Sequence, residues 1–397
     1  MIELRQYQKD GLNALWNYFS SGAKGNPLLC WPTGVGKSIV PAEFIRQTMI
    51  RYPNQRFLMM THSKELISQN AELMRFVWPN APLGIFSAGL GSKQSQLPIV
   101  YGGIQSAAKD PARFGFRDIM FIDEAHLVSQ DETSQYLTFI ATLRLINPNL
   151  RIIGMTATPF RMGQGMLTDE GLFTDIVHDL TGMDNFNKLI QDGWLCPLVP
   201  KRTHTELDVS GVGMNNGEFI ASQLQGAVDK AEITFKGLKE LVHFGETRRS
   251  WLIFASGIDH AEHIAQMLGT FGIQCAPVHS KRNKDYNDAA IKAFKANELR
   301  AIVNFSKLTT GFNHPNIDCI ADLRPTMSIP LHIQKLGRGT RPASGKNNCL
   351  VLDFSRNVPR LGPINDPIIP RKKNKEPGDI PVKICEACGV YNHLKVR

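Results

Sequence analysis

The chain has 397 residues, of which 42% are hydrophobic, so it can form packed cores and is not a disordered protein. Its formal net charge is +9, which suits a polyanionic partner such as nucleic acid without being specific to one. The sequence has no run of 18 apolar residues and no signal peptide, and most of its seven cysteines lie in or beside apolar runs. We therefore expect a cytoplasmic protein with no membrane partner and with reduced thiols.

Short apolar runs alternate with amphipathic stretches along the chain, a pattern typical of buried parallel strands joined by helices. In the first half these runs are 27–31, 56–62, 99–103, 118–124 and 151–158. A second series comprises 251–255, 275–279, 301–306, 317–322 and 348–354. The sequence therefore predicts an α/β fold with parallel sheets in two domains of comparable size.

Changes in composition between and after these two series set the predicted domain boundaries. We expect an N-terminal domain over 1–195, connecting elements over 196–245, a C-terminal domain over 246–358 and a proline-rich tail over 359–397. The tail contains a basic cluster at 371–375. This cluster fits a solvated linker at least as well as a phosphate-binding arm.

The first chemical motif, PTGVGKS at 32–38, lies between an apolar run and a helical stretch. Glycines let backbone N–H groups close around phosphate oxygens, a lysine can reach the β- and γ-phosphates, and a hydroxyl can help to hold Mg²⁺. Trp31 stands where the general phosphate-loop pattern has glycine. The motif predicts a nucleotide-binding loop formed by Pro32, Thr33, Gly34, Val35, Gly36, Lys37 and Ser38.

A pair of carboxylates lies at the end of the apolar run 118–124, in the sequence DEAH over 123–126. A carboxylate at the end of a strand near a phosphate loop can hold Mg²⁺ through water, and a neighbouring one can orient the attacking water. We assign Asp123 to the metal together with Ser38, and Glu124 to the water. His126 completes the motif and is counted with the catalytic residues.

A third motif, QKLGRGTR at 334–341, lies far along the second series. A guanidinium brought from another domain can stabilise the charge that develops on a γ-phosphoryl group, since its planar fork matches phosphate oxygens. Arg338 and Arg341 are three residues apart, so on a helical turn they would share one face. We predict that these two arginines and Gln334 act in catalysis.

Together these motifs resemble helicase superfamily 2 over nearly the whole chain. The resemblance implies two tandem RecA-like domains with the nucleotide in the cleft between them, and ATP and Mg²⁺ as cofactors. It also implies that the segment 4–8 reads adenine, with Gln8 on the base edge and Arg5 nearby. Gly311, in a segment similar to motif V, is expected to lie near the nucleotide.

The same resemblance assigns several polar segments to the nucleic-acid strand. Residues 61–66 resemble motif Ia, 103–106 motif Ib, 156–158 motif III and 309–313 motif V, and 254–256 lie where motif IV is expected. The predicted strand-contacting residues are His62, Ser63, Lys64, Gln105, Ser106, Thr156, Thr158, Ser280, Thr309 and Thr310.

Within the superfamily the sequence is similar to the bacterial RadD family of DNA-repair ATPases. The similarity rests on TATPFRMG at 156–163, KLTTGFNHPNID at 307–318, LVLDFSRN at 350–357 and CEACG at 385–389. It implies a role on single-stranded or branched DNA in repair or replication, alongside single-strand binding protein, and we expect a monomer. Such proteins carry a further C-terminal zinc-finger region, whereas this chain ends at Arg397.

The pair Cys385 and Cys388 resembles half of a zinc knuckle. Zinc takes four ligands, of which this pair supplies two thiolates. The other two ligands would have to lie beyond Arg397, or His393 and a distant residue would have to serve. Zinc is therefore a candidate cofactor with an incomplete ligand set.

The motifs predict an ATP hydrolase that couples nucleotide turnover to movement on DNA, as a helicase or translocase. A strand-separating wedge hairpin is not recognisable in 160–245, so strand separation and translocation stay open. Two other functions are compatible with the sequence. One is an ATP-gated DNA clamp or scaffold that does not move, and the other is the motor subunit of a restriction system.

Overall fold

The computed structural model describes residues 3–129, 131, 133–161, 165–169, 171–215, 217–308, 311–369 and 382–393. The chain folds into two compact units, Met1–Thr181 and Gly182–Arg397. No helix among the described residues is both long and apolar enough to cross a bilayer.

Five strands of the first unit lie within the five apolar runs of the sequence, and the other strands of the unit lie outside those runs. In chain order the strands of this unit are β1 (Pro27–Cys30), β2 (Phe57–Thr61), β3 (Leu83–Ser87), β4 (Ser92–Lys93), β5 (Ile99–Gly103), β6 (Ile119–Asp123), β7 (Arg151–Thr156), β8 (Phe160–Arg161), β9 (Gly165–Met166) and β10 (Asp175–Asp179). The five within the apolar runs are β1, β2, β5, β6 and β7. Eight of them form one sheet in the order β10-β1-β7-β6-β2-β5-β3-β4, parallel except for β4. β8 and β9 form a separate hairpin.

The helices of the first unit pack on this sheet. They are α1 (Gln6–Ser20), α2 (Ile39–Arg51), α3 (Lys64–Val77), α4 (Ile104–Ala107) and α5 (Gln135–Ile146). Their apolar faces and the buried strands form the core, in which Phe139 and Leu143 of α5 cluster with Met120 and Ile152 of the sheet. β1, β2 and β5 are buried along their whole length because helices cover both faces of a parallel sheet.

One buried cation, Arg117, ties the start of two strands together. Its side chain lies just before β6, and the residue is 1% exposed. The guanidinium donates hydrogen bonds to backbone carbonyls rather than to a carboxylate. The acceptors are Phe114 (2.9 Å), Leu97 (2.9 Å), Pro98 (3.1 Å), Phe57 (3.4 Å) and Ser95.

The second unit is built on a six-stranded parallel sheet. Its strands and hairpins are β11 (Leu198–Arg202), β12 (Met214–Asn215), β13 (Glu218–Phe219), β14 (Trp251–Phe254), β15 (Cys275–Val278), β16 (Ala301–Asn304), β17 (Cys319–Asp322), β18 (Cys349–Asp353), β19 (Val382–Ile384) and β20 (Tyr391–His393). The sheet order is β11-β18-β17-β14-β16-β15. β12 with β13 and β19 with β20 form two antiparallel hairpins.

Seven helices accompany this second sheet in the part of the unit that the structure describes. They are α6 (Met183–Gln191), α7 (Ala221–Val228), α8 (Ala231–Phe244), α9 (Ile258–Thr270), α10 (Lys284–Lys295), α11 (Ile329–Leu336) and α12 (Asn357–Leu361). Apolar residues of α8 and α9, such as Leu238 and Ile264, pack with Ile253 and Val303 of the sheet.

The predicted fold class, two α/β domains with parallel sheets, is confirmed. The segment 196–245, which we expected to connect the domains, forms β11 at the edge of the second sheet together with α7 and α8. Residues 183–191, placed by sequence in the first domain, form α6 in the second unit. The basic cluster 371–375 lies outside the described residues.

Candidate functional site

The carboxyl ends of parallel strands meet at one edge of a sheet, where α/β proteins place their ligands. In the first unit, the phosphate loop 32–38 follows β1, Asp123 ends β6 and Thr156 ends β7. β1 and β6 both pair with β7, so the three segments are neighbours. The fold thus brings together motifs that are far apart in sequence.

The phosphate loop is shaped by glycine. Gly34 has φ of +94° and Gly36 has φ of +76°, values that other residues adopt only with strain. The Tyr7 hydroxyl donates a hydrogen bond to the carbonyl of Val35 at 2.8 Å, and Gln8 Nε2 lies 3.4 Å from the same oxygen. The start of α1 therefore holds the loop directly.

Lys37 has the environment expected of a phosphate ligand. Its Nζ atom is buried and has no hydrogen-bond partner among the described residues. A buried ammonium group without a partner is costly, so the loop is arranged for an anion. The lysine charge also acts on the carboxylate of Asp123.

Trp31, which departs from the general pattern, has a clear structural role. The residue is 1% exposed, and its ring lies 5.5 Å from that of Tyr7, edge to face. Its Nε1 donates a hydrogen bond to Nδ1 of His178 in β10 at 2.9 Å. A Cβ atom at Gly11 of α1 would lie 2.3 Å from the indole, so glycine is needed there. Trp31 thereby joins α1 and β10 to the base of the loop.

The segment predicted to read adenine lies against the loop. Gln8 is 5% exposed, and its Oε1 accepts a hydrogen bond from the backbone N–H of Arg5 at 3.0 Å. The Arg5 guanidinium donates to the Tyr7 hydroxyl at 3.0 Å. Tyr7 was not singled out from the sequence, although it stands between the two predicted residues. Adenine recognition by Arg5 and Gln8 stays a prediction.

Asp123 and Glu124 lie side by side at the end of β6. Burial, and to a smaller extent the charge of Glu124, raise the pKa of Asp123 to about 6, while the charge of Lys37 opposes this shift. Glu124 has a left-handed backbone, with φ of 54°, and its N–H donates to Asp123 Oδ1 at 3.0 Å. Strained backbone of this kind is concentrated at functional sites.

His126 joins this carboxylate pair to the segment after β7. Its Nδ1 is 3.0 Å from Oγ1 of Thr156 and 3.4 Å from Oε2 of Glu124. Burial lowers the pKa of His126 to about 4, so the ring is neutral at pH 7. The backbone N–H of Thr158 donates to Thr156 Oγ1 at 3.0 Å. The predicted motif III residues are thus bonded to the carboxylate site.

Thr156 and Thr158 are 0% and 1% exposed, so they lie in the interior beside His126. Sequence analysis placed them at the nucleic-acid strand, whereas the structure buries them and bonds Thr156 to His126. Tyr136 of α5, which sequence analysis missed, is buried near Asp123 and Glu124. Its burial and, secondarily, their charges raise the pKa of its hydroxyl.

The other predicted strand contacts of the first unit form one surface. Gln105 Nε2 donates a hydrogen bond to the carbonyl of His62 at 3.0 Å, which joins the ends of β5 and β2. The Ser106 hydroxyl accepts the backbone N–H of Ala88 at 3.1 Å. Ser63 caps the start of α3, and its hydroxyl accepts the N–H of Leu66 at 3.3 Å. Lys64 follows it and is exposed.

In the second unit, Arg338 and Arg341 converge on one carbonyl. An N–H of each guanidinium donates to the Phe312 oxygen, at 2.6 Å from Arg338 and 2.7 Å from Arg341. α11 ends at Leu336, so the expectation that a helical turn aligns the two arginines was wrong. Gly311, beside that carbonyl, has φ of 71°.

Further residues predicted from sequence also lie in the second unit. Ser280 is exposed after β15, and Gln334 lies within α11. Thr309 and Thr310 lie outside the described residues. Next to Ser280, Arg282 forms a two-pronged ion pair with Glu262, with both distances 2.7 Å.

Cys385 and Cys388 lie in the turn between β19 and β20. Hydrogen bonds from Cys388 lower the pKa of the Cys385 thiol. Within the described ranges, no three His, Cys, Asp or Glu side chains are grouped to hold a metal ion. A complete zinc site is therefore not found there.

Comparison with protein families agrees with this arrangement. Residues 1–161 match the res subunit family of type III restriction enzymes, and residues 234–343 match the conserved C-terminal domain of helicases. The first matched region lies within Met1–Thr181 and the second within Gly182–Arg397, so each unit is similar to one of these two domain families.

Two fungal relatives are named as ATP-dependent helicases. IRC3 of Saccharomyces cerevisiae is 26% identical over 364 residues, which cover 88% of this chain and 51% of that protein. The mitochondrial irc3 of Schizosaccharomyces pombe is 26% identical over 376 residues, covering 93% of this chain and 60% of that protein. The chain thus spans little more than half the length of these relatives.

Solved structures share the fold. A fragment of an HsdR subunit of a type I restriction enzyme from Vibrio vulnificus is 19% identical, with a TM-score of 0.66 over 92% of this chain and 67% of that one. The restriction-modification enzyme LlaBIII bound to DNA has a TM-score of 0.61, 15% identity and coverages of 88% and 27%. Dbp5 of S. cerevisiae bound to RNA and ADP BeF3 has a TM-score of 0.60, 14% identity and coverages of 89% and 85%.

Proposed function

We propose that this protein hydrolyses ATP and uses the cycle to move along a DNA strand. The observation that carries this proposal is the meeting, at one sheet edge, of the unpartnered Nζ of Lys37 with the carboxylates of Asp123 and Glu124. Transfer of a phosphoryl group to water requires a cation that binds the phosphates and carboxylates that position the metal ion and the attacking water, and these residues can supply both.

The residues at this edge fit Mg²⁺ as well as ATP. Ser38 and Asp123 supply the hard oxygen atoms that Mg²⁺ prefers, and the ion would neutralise charge on the phosphates. The proposed task of Lys37 and the loop backbone is to hold the phosphate oxygens, and that of Arg5 and Gln8 is to recognise the base.

Glu124 is the residue we assign to the attacking water. Its carboxylate can accept a proton or a hydrogen bond from that water. His126 is neutral and lies within 3.4 Å of Glu124 and 3.0 Å of Thr156, so it can fix the carboxylate's direction. It also gives the segment 156–158 a direct link to the hydrolysis site, which is what coupling to a bound strand requires.

Arg338 and Arg341 are proposed to stabilise the γ-phosphoryl charge. Their shared carbonyl, that of Phe312, holds them close together. Burial lowers the pKa of Arg341 to about 10, so it stays cationic at pH 7. Repeated approach and withdrawal of these arginines with each ATP cycle would change the spacing of the strand-gripping segments.

DNA is the proposed strand because the motifs of the sequence resemble those of the RadD family. The fold alone does not favour DNA, since it is shared with LlaBIII bound to DNA and with Dbp5 bound to RNA. A role in repair with single-strand binding protein follows from the RadD similarity alone. The surface formed by His62, Ser63, Gln105 and Ser106 is suited to phosphate contacts, which are independent of sequence.

A second function, the motor subunit of a restriction system, is favoured by a specific finding. The first 161 residues match the res subunit family, and the HsdR fragment shares the fold over 92% of the chain. A restriction motor is expected to respond to long duplex DNA, whereas a RadD-like enzyme responds to single-stranded or branched DNA.

The deciding experiment is steady-state ATP hydrolysis without nucleic acid and with single-stranded DNA, long duplex DNA or RNA. Each is measured at low and high salt, with Lys37→Ala as the inactive control. Stimulation by single-stranded DNA that weakens as salt rises supports the proposal, because phosphate contacts release counterions. Stimulation by duplex DNA alone supports the restriction motor, and stimulation by RNA alone refutes DNA as the strand. An equal rate in all four conditions refutes a coupled motor and supports a clamp or scaffold.

A further inference from the structure

The hairpin β12–β13 lies outside all the motifs discussed so far, yet it is bonded to the helix that leads into the arginines. Glu218, the first residue of β13, accepts the backbone N–H of Met327 at 3.0 Å and that of Ser328 at 3.2 Å. Its carboxylate also accepts the hydroxyl of Thr326. These groups immediately precede α11, where N–H groups lack helical partners and a negative charge is favourable.

The opposite end of α11 is held by a buried ion pair. Lys335 is fully buried, and its Nζ donates to both carboxylate oxygens of Asp322 at 2.7 Å. Asp322 also accepts a hydrogen bond from Nδ2 of Asn357 at 2.9 Å. The Oδ1 atom of Asn357 in turn accepts the N–H of Thr326 at 3.0 Å. The two anchors of the helix therefore belong to one continuous network.

The next residue of the hairpin touches the same network. Arg360 lies over the ring of Phe219, 5.7 Å from its centroid, and donates to Asn357 Oδ1 at 3.1 Å. Glu218, through Thr326, and Phe219, through Arg360, thus both connect the hairpin to Oδ1 of Asn357. Since α11 ends at Leu336, only Gly337 separates this anchored helix from Arg338.

We propose that Glu218 is a positioning residue for Arg338 and Arg341. By fixing residues 326–328, which lead directly into α11, its carboxylate sets where the two guanidinium groups lie. The inference rests on the proposed ATPase function. Glu218 lies 108 to 110 residues from its partners in sequence and in no recognised motif, so sequence patterns do not reveal this role.

The test compares Glu218→Gln with Glu240→Gln. Glu240 is a matched control because its carboxylate accepts backbone N–H groups of His204 at 2.8 Å and Thr205 at 2.6 Å in the same unit, away from α11. Wild type, both variants and Lys37→Ala are assayed for DNA-stimulated hydrolysis. Rates are divided by the concentration of sites that bind a fluorescent ATP analogue, so unfolded protein does not contribute.

We expect Glu218→Gln to lower kcat about tenfold, since misplacing groups by on the order of 1 Å costs up to about a hundredfold. The KM for ATP should stay within about twofold of wild type, because the phosphate loop is untouched. Amide hydrogen exchange over 327–332 should accelerate in this variant. Glu240→Gln should change neither kcat, nor the KM for ATP, nor amide exchange over 327–332.

Three results would overturn the inference. The first is an unchanged kcat in Glu218→Gln. The second is an equal loss in Glu240→Gln, which would show general destabilisation. The third is a wild-type rate no higher than that of Lys37→Ala, which would overturn the proposed function itself. The last outcome is distinguishable because the first two require an active wild-type enzyme.

Discussion

Replacing Arg117 should strongly destabilise the first unit, because its buried guanidinium is the donor for several interior carbonyls. In Arg117→Met, the buried carbonyls of Ser95 and Phe114 and the partly buried carbonyl of Leu97 lose a charged donor. Pro98 O keeps the N–H of Phe57 as a donor at 2.7 Å, and the bond to Phe57 O is long, so neither is counted.

Each buried acceptor left without a donor costs about 1–3 kcal/mol. With two buried acceptors and one partly buried acceptor, and with methionine filling part of the space, we expect a loss of about 3–6 kcal/mol, a large share of a domain's about 5–15 kcal/mol. Burial already lowers the pKa of Arg117 to about 9, so its desolvation offsets part of the gain from its bonds. We therefore expect the loss to lie in the lower half of the range of about 3–6 kcal/mol.

The assay is urea unfolding of the full chain followed by hydrogen exchange, which reports each unit separately. Peptides covering 57–61 and 99–103 report the first sheet, and a peptide covering 251–254 serves as the internal reference in the second. The matched control is Arg56→Met, which loses one exposed bond to the Gln96 carbonyl. An unchanged midpoint for the first sheet in Arg117→Met would refute the reasoning.

Three further changes test the hydrolysis site and the second core. Glu124→Gln should keep ATP binding but lower kcat by about a hundredfold or more, because the water loses its base; a normal rate excludes this assignment. Thr156→Val should reduce DNA stimulation relative to basal hydrolysis, and an unaltered ratio would show that the His126 link carries no coupling. Burial lowers the pKa of His332 to about 4, below its unfolded value of about 6.5. Because the folded protein holds this ring neutral, His332 contributes fully to the free energy of unfolding above a pH of about 6.5. That contribution is lost as the pH falls towards about 4. His332→Gln should flatten the second unit's urea midpoint between about pH 7 and about pH 5, and an unaltered slope contradicts this.

The sheets could be predicted because strands covered on both faces are continuously apolar. All five residues of β2 are buried, and β6 and β7 are buried except at their first residues. The site followed from the same logic, since Lys37 and Asp123 each lie at or just past the end of such a strand. Arg338 and Arg341 were expected to share one face of a helical turn. In the structure they are instead paired because both guanidinium groups donate to the carbonyl of Phe312.

The edge strands β10 and β11 could not be predicted, because their patterns are weak. β10 reads DIVHD with no buried residue, and β11 reads LVPKR with a proline, which is tolerated at a sheet edge. Long-range polar contacts were equally inaccessible. Glu218 meets Thr326 and Trp31 meets His178 across more than a hundred residues, and neither pair belongs to a periodic pattern.

The contact between Gly11 and Trp31 has a consequence for how this sequence can diverge. A glycine within a helix lowers stability by about 1 kcal/mol relative to alanine. Gly11 is nevertheless needed here, because a Cβ atom at this position would clash with the indole of Trp31. A homologue with glycine at the position of Trp31 has no indole there, so it has room for a larger residue at position 11. The two positions should therefore change together among homologues, and replacing either one alone leaves a clash or a void.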